Sequence, residues 1–77
     1  MRVNVVAPGS GDTPVVRVPV QALPDPEATM RAIAVTHPLQ RIAHPAEVAD
    51  AIVYLASPEA SFVTGVVLPV DGGYTAQ

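Results

Sequence analysis

Nine prolines are spread along the 77-residue chain, and they fix where its helices and strands can begin and end. Proline locks its own φ and donates no backbone hydrogen bond, so it suits the first turn of a helix and disfavours a central strand. The stretch DPE at 25–27 supplies a capping oxygen, a proline and an acid, and HPAE at 44–47 opens a glycine-free, alanine-rich run. We predict helices over 25–36 and 44–56, and one further short turn after Ser57.

Two short stretches rich in β-branched residues lie near the two ends of the chain. Residues 2–7, RVNVVA, are followed by Pro8-Gly9, and residues 66–70, VVLPV, are followed by DGG. We predict a strand for each, and Pro69 places the second at a sheet edge or at a position whose N–H is unpaired. A strand, two helices and a strand form a β-α-α-β unit with parallel strands and a right-handed crossover, so the predicted fold class is α/β.

The segment between the first strand and the first helix has two parts. Residues 8–14, PGSGDTP, combine two glycines with small polar side chains, which predicts a tight loop that can present backbone N–H groups. Residues 15–24 are apolar but contain two prolines, so we predict a mobile or loosely extended segment. Open α/β sheets bind ligands beyond the carboxyl ends of their strands. The loop at 8–13 is therefore the candidate binding site, with a plain surface turn as the alternative.

Charge and composition exclude several classes of function. The chain has seven acids against four arginines and a net charge of −3, which gives no basic stripe for nucleic acid. Without cysteine there is no thiolate site, and the spacing of His37 and His44 matches no metal-ligand pattern. Without lysine there is no Schiff-base chemistry. No apolar run approaches the ~20 residues of a membrane span and no signal peptide is recognisable, so we expect a cytoplasmic protein.

We expect the chain to expose more apolar surface than its own helices can cover. Hydrophobic residues make up 49% of the chain and charged residues only 14%, against an average near ~25% charged. A parallel strand pair is stable when helices cover both of its faces, and two helices cannot supply that cover. We therefore expect the isolated chain to be molten, aggregated or oligomeric.

Four motifs stand in order along nearly the whole chain. They are RVNVVAPG at 2–9 with Thr13-Pro14, HPLQRIA at 37–43 with PAEVA at 45–49, Thr64-Gly65, and VDGG at 70–73. Together they resemble the C-terminal third of the short-chain dehydrogenase/reductases. The resemblance implies a partial Rossmann fold, in which the two strands are the last two parallel strands of the sheet and the helices between them form a lid. It also implies one partial domain over 1–77, with a strand and cofactor-facing turn at 1–14, a lid-like segment at 15–43, and a helix and last strand at 44–77.

The same resemblance implies NAD or NADP as the cofactor and assigns four residues to it. Pro8 and Gly9 match the family's PG turn beneath the nicotinamide ring, and Thr13 matches the threonine of its PGxxxT pattern, near the carboxamide and pyrophosphate. Gly11 stands where the family usually has an apolar residue whose backbone binds the carboxamide; glycine keeps the amide and loosens the loop. The tail at 71–73 matches a region of the family close to subunit interfaces, which implies a homo- or hetero-oligomer with related subunits.

The family's proton-transfer residues find no match in the chain. Its tyrosine is followed four residues on by a lysine, whereas Tyr54 is followed at that spacing by Pro58, and Tyr74 has only three residues after it. No catalytic residue is assigned. We expect a C-terminal fragment of an NAD(P)-dependent oxidoreductase that is inactive alone, and the strand beginning directly after Met1 favours a fragment. The alternatives are an interaction module that docks onto intact relatives through its strand edge, and an autonomous small dehydrogenase.

Overall fold

The structure, a computed structural model, describes residues 1–77 and contains two strands and three helices. In chain order these are β1 (Val5–Pro8), α1 (Pro14–Gln21), α2 (Pro26–Val35), α3 (Pro45–Ala56) and β2 (Val67–Val70), with short 3-10 turns at Pro58–Ala60 and Tyr74–Ala76. The strands pair in parallel, from Val5 opposite Val67 to Pro8 opposite Val70. The predicted α/β fold with two parallel strands is confirmed. None of the three helices has the length and apolar character needed to span a membrane.

Two of the three helices begin where the sequence predicts. At the start of α2 the Asp25 carboxylate accepts a hydrogen bond from the Ala28 N–H at 3.1 Å, which satisfies one of the unpaired donors of the first turn. At the start of α3 the Glu47 carboxylate accepts from the His44 N–H at 2.9 Å. Each helix has its proline at the first position, where the missing N–H costs no helical hydrogen bond.

The prediction of a loosely extended segment over 15–24 is wrong, because α1 occupies most of it. The Thr13 carbonyl accepts from the N–H groups of Val16 and Arg17 at 3.0 and 2.8 Å, and Pro14 takes the first helical position. In a helix of two turns Pro19 removes a single hydrogen bond, and the next residue, Val20, is buried. The predicted β-α-α-β unit is therefore a β-α-α-α-β unit.

The first strand begins three residues later than predicted, since side chains hold the residues before it. The Arg2 guanidinium donates to three carbonyl oxygens at the end of α3 and the turn after it, those of Leu55, Ala60 and Ser57 at 2.8, 2.9 and 3.2 Å. A cation there offsets the negative end of the helix dipole and satisfies carbonyls that the helix leaves unpaired. The Asn4 amide donates to the carbonyl of Val63 and accepts from the N–H of Val66, both at 3.0 Å.

Each strand contains a proline whose missing N–H lies on a free edge of the sheet. The N–H groups of Val5 and Gly9 donate to carbonyls of the 66–70 segment at 2.9 and 3.0 Å, so alternate residues of β1 face β2 and Pro8 faces away. By the same alternation Pro69 faces away from β1. Neither proline interrupts the pairing of the two strands, in agreement with the predicted position of Pro69.

The carboxyl ends of the strands approach each other closely at Gly9 and Asp71. A Cβ on Gly9 would lie 2.9 Å from the Asp71 Cα, which is too short for a side chain, and 3.1 Å from Nε2 of His37, which is a tight contact. The turn after β2 continues through Gly72 and Gly73, at φ values of 60° and 91° that favour glycine. The chain therefore depends on glycine at this crossing.

Little of the chain is buried. Only Val20, His37, Leu55 and Ala60 are buried, and the accessible surface is 5401 Å² where about 4,450 Å² is expected for this mass. The radius of gyration is 14.7 Å, against about 11.5 Å for a compact chain of 77 residues. Because α3 packs on one face of the strand pair, the other face, which carries Val5 and Val67, stays open.

We expect Gly9→Ala to separate the ends of the two strands and Gly11→Ala to leave them in place. A Cβ on Gly11 would meet no atom closer than 3.7 Å, so this variant controls for the loss of glycine flexibility. Overpacking at residue 9 should accelerate amide exchange in the peptide covering 5–9 by about fivefold or more. Hydrogen-exchange mass spectrometry measures this on a monomer or an oligomer. Equal protection in the two variants would contradict the close approach.

We expect the Glu47 carboxyl to titrate at an unusually low pH. Hydrogen bonds from the Arg41 guanidinium, at 2.7 and 2.8 Å, and then from the His44 N–H lower the pKa of Glu47 to about 2. Because the folded pKa lies below the ordinary ~4.3, the carboxylate stabilises the start of α3 above that pH, and this stabilisation is lost as the pH falls toward 2. In the Arg41→Gln variant, carbon-detected NMR titration should give a pKa of Glu47 closer to the ordinary value. Arg31→Gln, which removes an arginine outside the pair, should leave the titration of Glu47 unchanged.

Candidate functional site

A cleft of about 370 Å³ opens at the carboxyl end of β1, between the start of α1 and the start of α3. Pro8, Gly9, Gly11 and Thr13 line one side of it. The structure thus brings together all four residues that the sequence singled out. The remaining lining residues are mostly apolar and come from the start of α1, from the residue that caps α3, and from α3 itself: Val15, Val16, His44, Pro45, Val48, Ala49 and Ile52.

The turn that carries these residues is tied to the segment preceding α3. Ala43 donates its N–H to the carbonyl of Ser10 at 3.0 Å, and its own carbonyl accepts from the Asp12 N–H at 2.8 Å. These two bonds bridge Gly11 to Ala43 in a single parallel pairing. They restrict the freedom that glycine brings to the loop, so the Gly11 backbone is presented to the cleft by bonded neighbours on both sides.

Two donors at this turn have no partner within the protein. The N–H of Gly11 and the hydroxyl of Thr13 make no hydrogen bond. Thr13 caps α1 through its carbonyl oxygen. A free N–H and a free hydroxyl beside a helix start suit an amide-bearing or anionic ligand. The apolar side chains opposite them suit a flat ring.

The charged residues nearest the turn are already paired with each other. The Arg17 guanidinium donates to the Asp12 carboxylate through two nitrogens, at 2.5 and 3.1 Å. This hydrogen bonding holds the pKa of Asp12 below its ordinary value and raises that of Arg17. The pair lies outside the lining of the cleft, whose only ionisable side chain is that of His44.

The tyrosines lie away from the cleft. Tyr54 is about half exposed on α3, and Tyr74 follows β2, where its ring lies 5.5 Å from that of His37. Neither lines the cleft, and no three His, Asp or Glu side chains come together as a metal-binding group. The chemistry available in the cleft is hydrogen bonding and apolar contact.

Sequence reasoning missed the second wall of the cleft. Val15 and Val16 belong to it because α1 is a helix and directs them back across the turn. The signal was available, since Thr13-Pro14 repeats the cap-and-proline pattern of the two predicted helix starts. The interior Pro19 concealed it.

Known proteins of similar sequence are dehydrogenases. A family model described as enoyl-(acyl carrier protein) reductase matches residues 1–75. The chain is 56% identical to cis-4-hydroxycyclohexanecarboxylate dehydrogenase of Sinomonas cyclohexanicum, over 99% of this chain and 28% of that protein. It is 44% identical to the short-chain dehydrogenase anuF of Penicillium roqueforti, over 100% of this chain and 27% of that protein.

Solved structures share the fold over almost the whole chain. A short chain dehydrogenase family protein from Francisella tularensis has a TM-score of 0.93 and 38% identity, covering 99% of this chain and 34% of that one. ElxO with NADP bound has a TM-score of 0.84 and 34% identity, covering 99% and 29%. The chain therefore spans about a third or less of each of these proteins. With the sequence matched nearly from end to end and the fold shared at this identity, the chain belongs to the short-chain dehydrogenase/reductase family.

Proposed function

We propose that the chain is the C-terminal segment of an NAD(P)-dependent oxidoreductase, and that it supplies one wall of the nicotinamide pocket and the lid over it. The observation that carries this proposal is the convergence of Pro8, Gly9, Gly11 and Thr13 on one cleft with two unpaired donors. The NADP bound to the relative ElxO, and the dehydrogenase names of the other relatives, support the same cofactor class here.

Each residue of the turn has a distinct part in holding the cofactor. Pro8 and Gly9 would hold the nicotinamide ring, and glycine at position 9 lets the strand ends close on each other. The N–H of Gly11 would donate to the carboxamide, and the hydroxyl of Thr13 would bind near the carboxamide and pyrophosphate. The bound cofactor supplies the hydride chemistry between an alcohol and a ketone.

The helices between the strands would cover the substrate and exclude water. In this proposal α1 and α2 form the lid, whose closure excludes water from the reacting atoms. Val15 and Val16 give the lid an apolar inner surface at the cleft. Because Tyr54 and Tyr74 lie outside the cleft and the chain has no lysine, these 77 residues position the cofactor while the proton transfer belongs to residues elsewhere.

The open side of the strand pair supports a role within a larger sheet. The half-exposed Val5 and Val67 and two unshared strand edges suit the neighbouring strands and helices of a doubly wound fold. A cytoplasmic enzyme of several subunits is part of the proposal.

A second function, docking onto intact relatives without catalysis, is favoured by one specific observation. A depression of about 640 Å³ on the open face is lined in part by Ala7, Val67, Pro69, Ile33 and Tyr74. An apolar surface of this kind is a docking surface for another subunit.

We expect a chimera to test the cofactor role directly. These 77 residues would replace the matching segment of the Sinomonas dehydrogenase, to which they are 56% identical. The chimera should retain NAD(P)H binding and hydride transfer. Thr13→Val, which removes the hydroxyl at nearly constant shape, should weaken binding by about fivefold, the effect of one hydrogen bond.

Val18→Thr is the matched control for this variant, because Val18 is an exposed residue of α1 outside the cleft. It should bind NAD(P)H as the unmodified chimera does. The 77-residue chain alone should give no turnover. A folded chimera that binds no nucleotide, or a Thr13→Val variant with unchanged affinity, would contradict the proposed function.

We expect the isolated chain to associate through its open face, in line with the second function. Light scattering on the purified chain, alone and mixed with an intact relative, should give masses above that of the monomer. Val67→Asp should reduce the association, whereas Val18→Asp, which places the same charge on α1, should not. A compact monomer with one sharp cooperative melt would contradict this expectation.

A further inference from the structure

His37 is the only polar residue among the four that are buried, and it is 4% exposed. It follows the end of α2 and lies against the Gly9–Ser10 turn on one side and the turn after β2 on the other. Three separate parts of the chain therefore meet at one imidazole. Such a buried polar ring requires hydrogen-bond partners, and both of its nitrogens have them.

The hydrogen bonds of the ring define its protonation. Nδ1 lies 3.0 Å from the carbonyl oxygen of Ile33, which can only accept, so Nδ1 carries a proton. The same carbonyl also accepts from the N–H and the hydroxyl of Thr36, at 3.2 and 2.6 Å. Because the Thr36 hydroxyl donates there, its oxygen, 3.2 Å from Nδ1, is a second acceptor for the proton on Nδ1. In the neutral ring Nε2 is then an acceptor, and the N–H of Ser10 points at it from 3.4 Å. The ring thus connects α2 to the turn through two opposite atoms.

We propose that His37, as the neutral Nδ1–H tautomer, is a positioning residue that sets the separation between α2 and the cofactor-facing turn. The proposal rests on the proposed function insofar as that turn holds the cofactor. Gly9 leaves room for the ring, since Nε2 lies 3.1 Å from where a Cβ would stand. A second proton on Nε2 would face the Ser10 N–H, donor against donor, and would release the turn from α2.

The other titratable groups around the ring are engaged elsewhere. A small cavity of about 120 Å³ beside it is lined by Arg41, Glu47 and Asp71. Arg41 and Glu47 form an ion pair at 2.7 Å. Asp71 accepts hydrogen bonds within its own turn, which lower its pKa and keep it anionic. The Tyr74 ring lies 5.5 Å from the imidazole between centroids, with the two ring planes tilted by 49°.

The test uses the full chain, labelled with ¹⁵N, and two substitutions at His37. Gln can donate to Ile33 through its amide nitrogen and accept from Ser10 through its oxygen, whereas Leu can do neither. Amide exchange at Ser10 should be about fivefold faster in His37→Leu than in the wild type, and His37→Gln should restore protection to within about twofold. A role in filling space alone would give the reverse order, because Leu is the apolar substitute.

NMR spectra provide two further readouts. Ring ¹⁵N shifts should identify the Nδ1–H tautomer for His37, and the Ser10 amide shift should change on substitution of His37 and not on substitution of the exposed His44. An Nε2–H tautomer, a Ser10 amide insensitive to His37, or a Gln variant that behaves as Leu does would each overturn the proposal.

A third experiment, in the chimera, distinguishes the role of His37 from the proposed cofactor binding. His37→Leu should weaken NAD(P)H binding and His37→Gln should restore it. If the wild-type chimera binds no nucleotide, the proposed function fails, and the exchange and tautomer measurements still decide the role of His37.

Discussion

The close backbone approach of Gly9 to Asp71 brings together the turns that follow the two strands, and the candidate site lies beside it. The strands are only four residues long, so their few ladder bonds could not by themselves fix the turns that follow. With no side chain at residue 9, the turns after β1 and β2 close on each other, and His37 fills the space that remains. The buried imidazole results from this crossing, and Gly9 also lines the cleft.

In the rest of the structure, local helices and turns are joined by a few long-range hydrogen bonds. Arg2 reaches the end of α3 with three hydrogen bonds, and Ala43 reaches the turn of the cleft with two. Both attach chain segments through polar groups at the periphery and bury little apolar surface. This explains how the chain shows well-defined turns although only four residues are buried. The open face of the strands adds no hydrophobic core to this chain.

The sequence predicts the elements well where one local signal dominates. The starts of α2 and α3 and the parallel strands followed from capping residues, prolines and β-branched stretches, and the four residues of the turn were identified from their resemblance to family motifs. The helix α1 was missed because Pro19 outweighed the Thr13-Pro14 start in local reasoning, although in two turns it removes only one bond. The contact of His37 with the Gly9–Ser10 turn could not be predicted either, because it depends on a crossing between residues 62 positions apart along the chain, Gly9 and Asp71.

The two strand prolines affect how the sheet can grow. Pro8 and Pro69 each remove a donor from an outer edge, so both rims of the ribbon present an interrupted row of hydrogen-bonding groups. An added strand can pair over only part of that row, whereas lateral stacking into a fibril requires every donor in register. The two prolines therefore disfavour amyloid-like polymerisation of a chain with much uncovered apolar surface. Part of each strand edge can still pair with another strand.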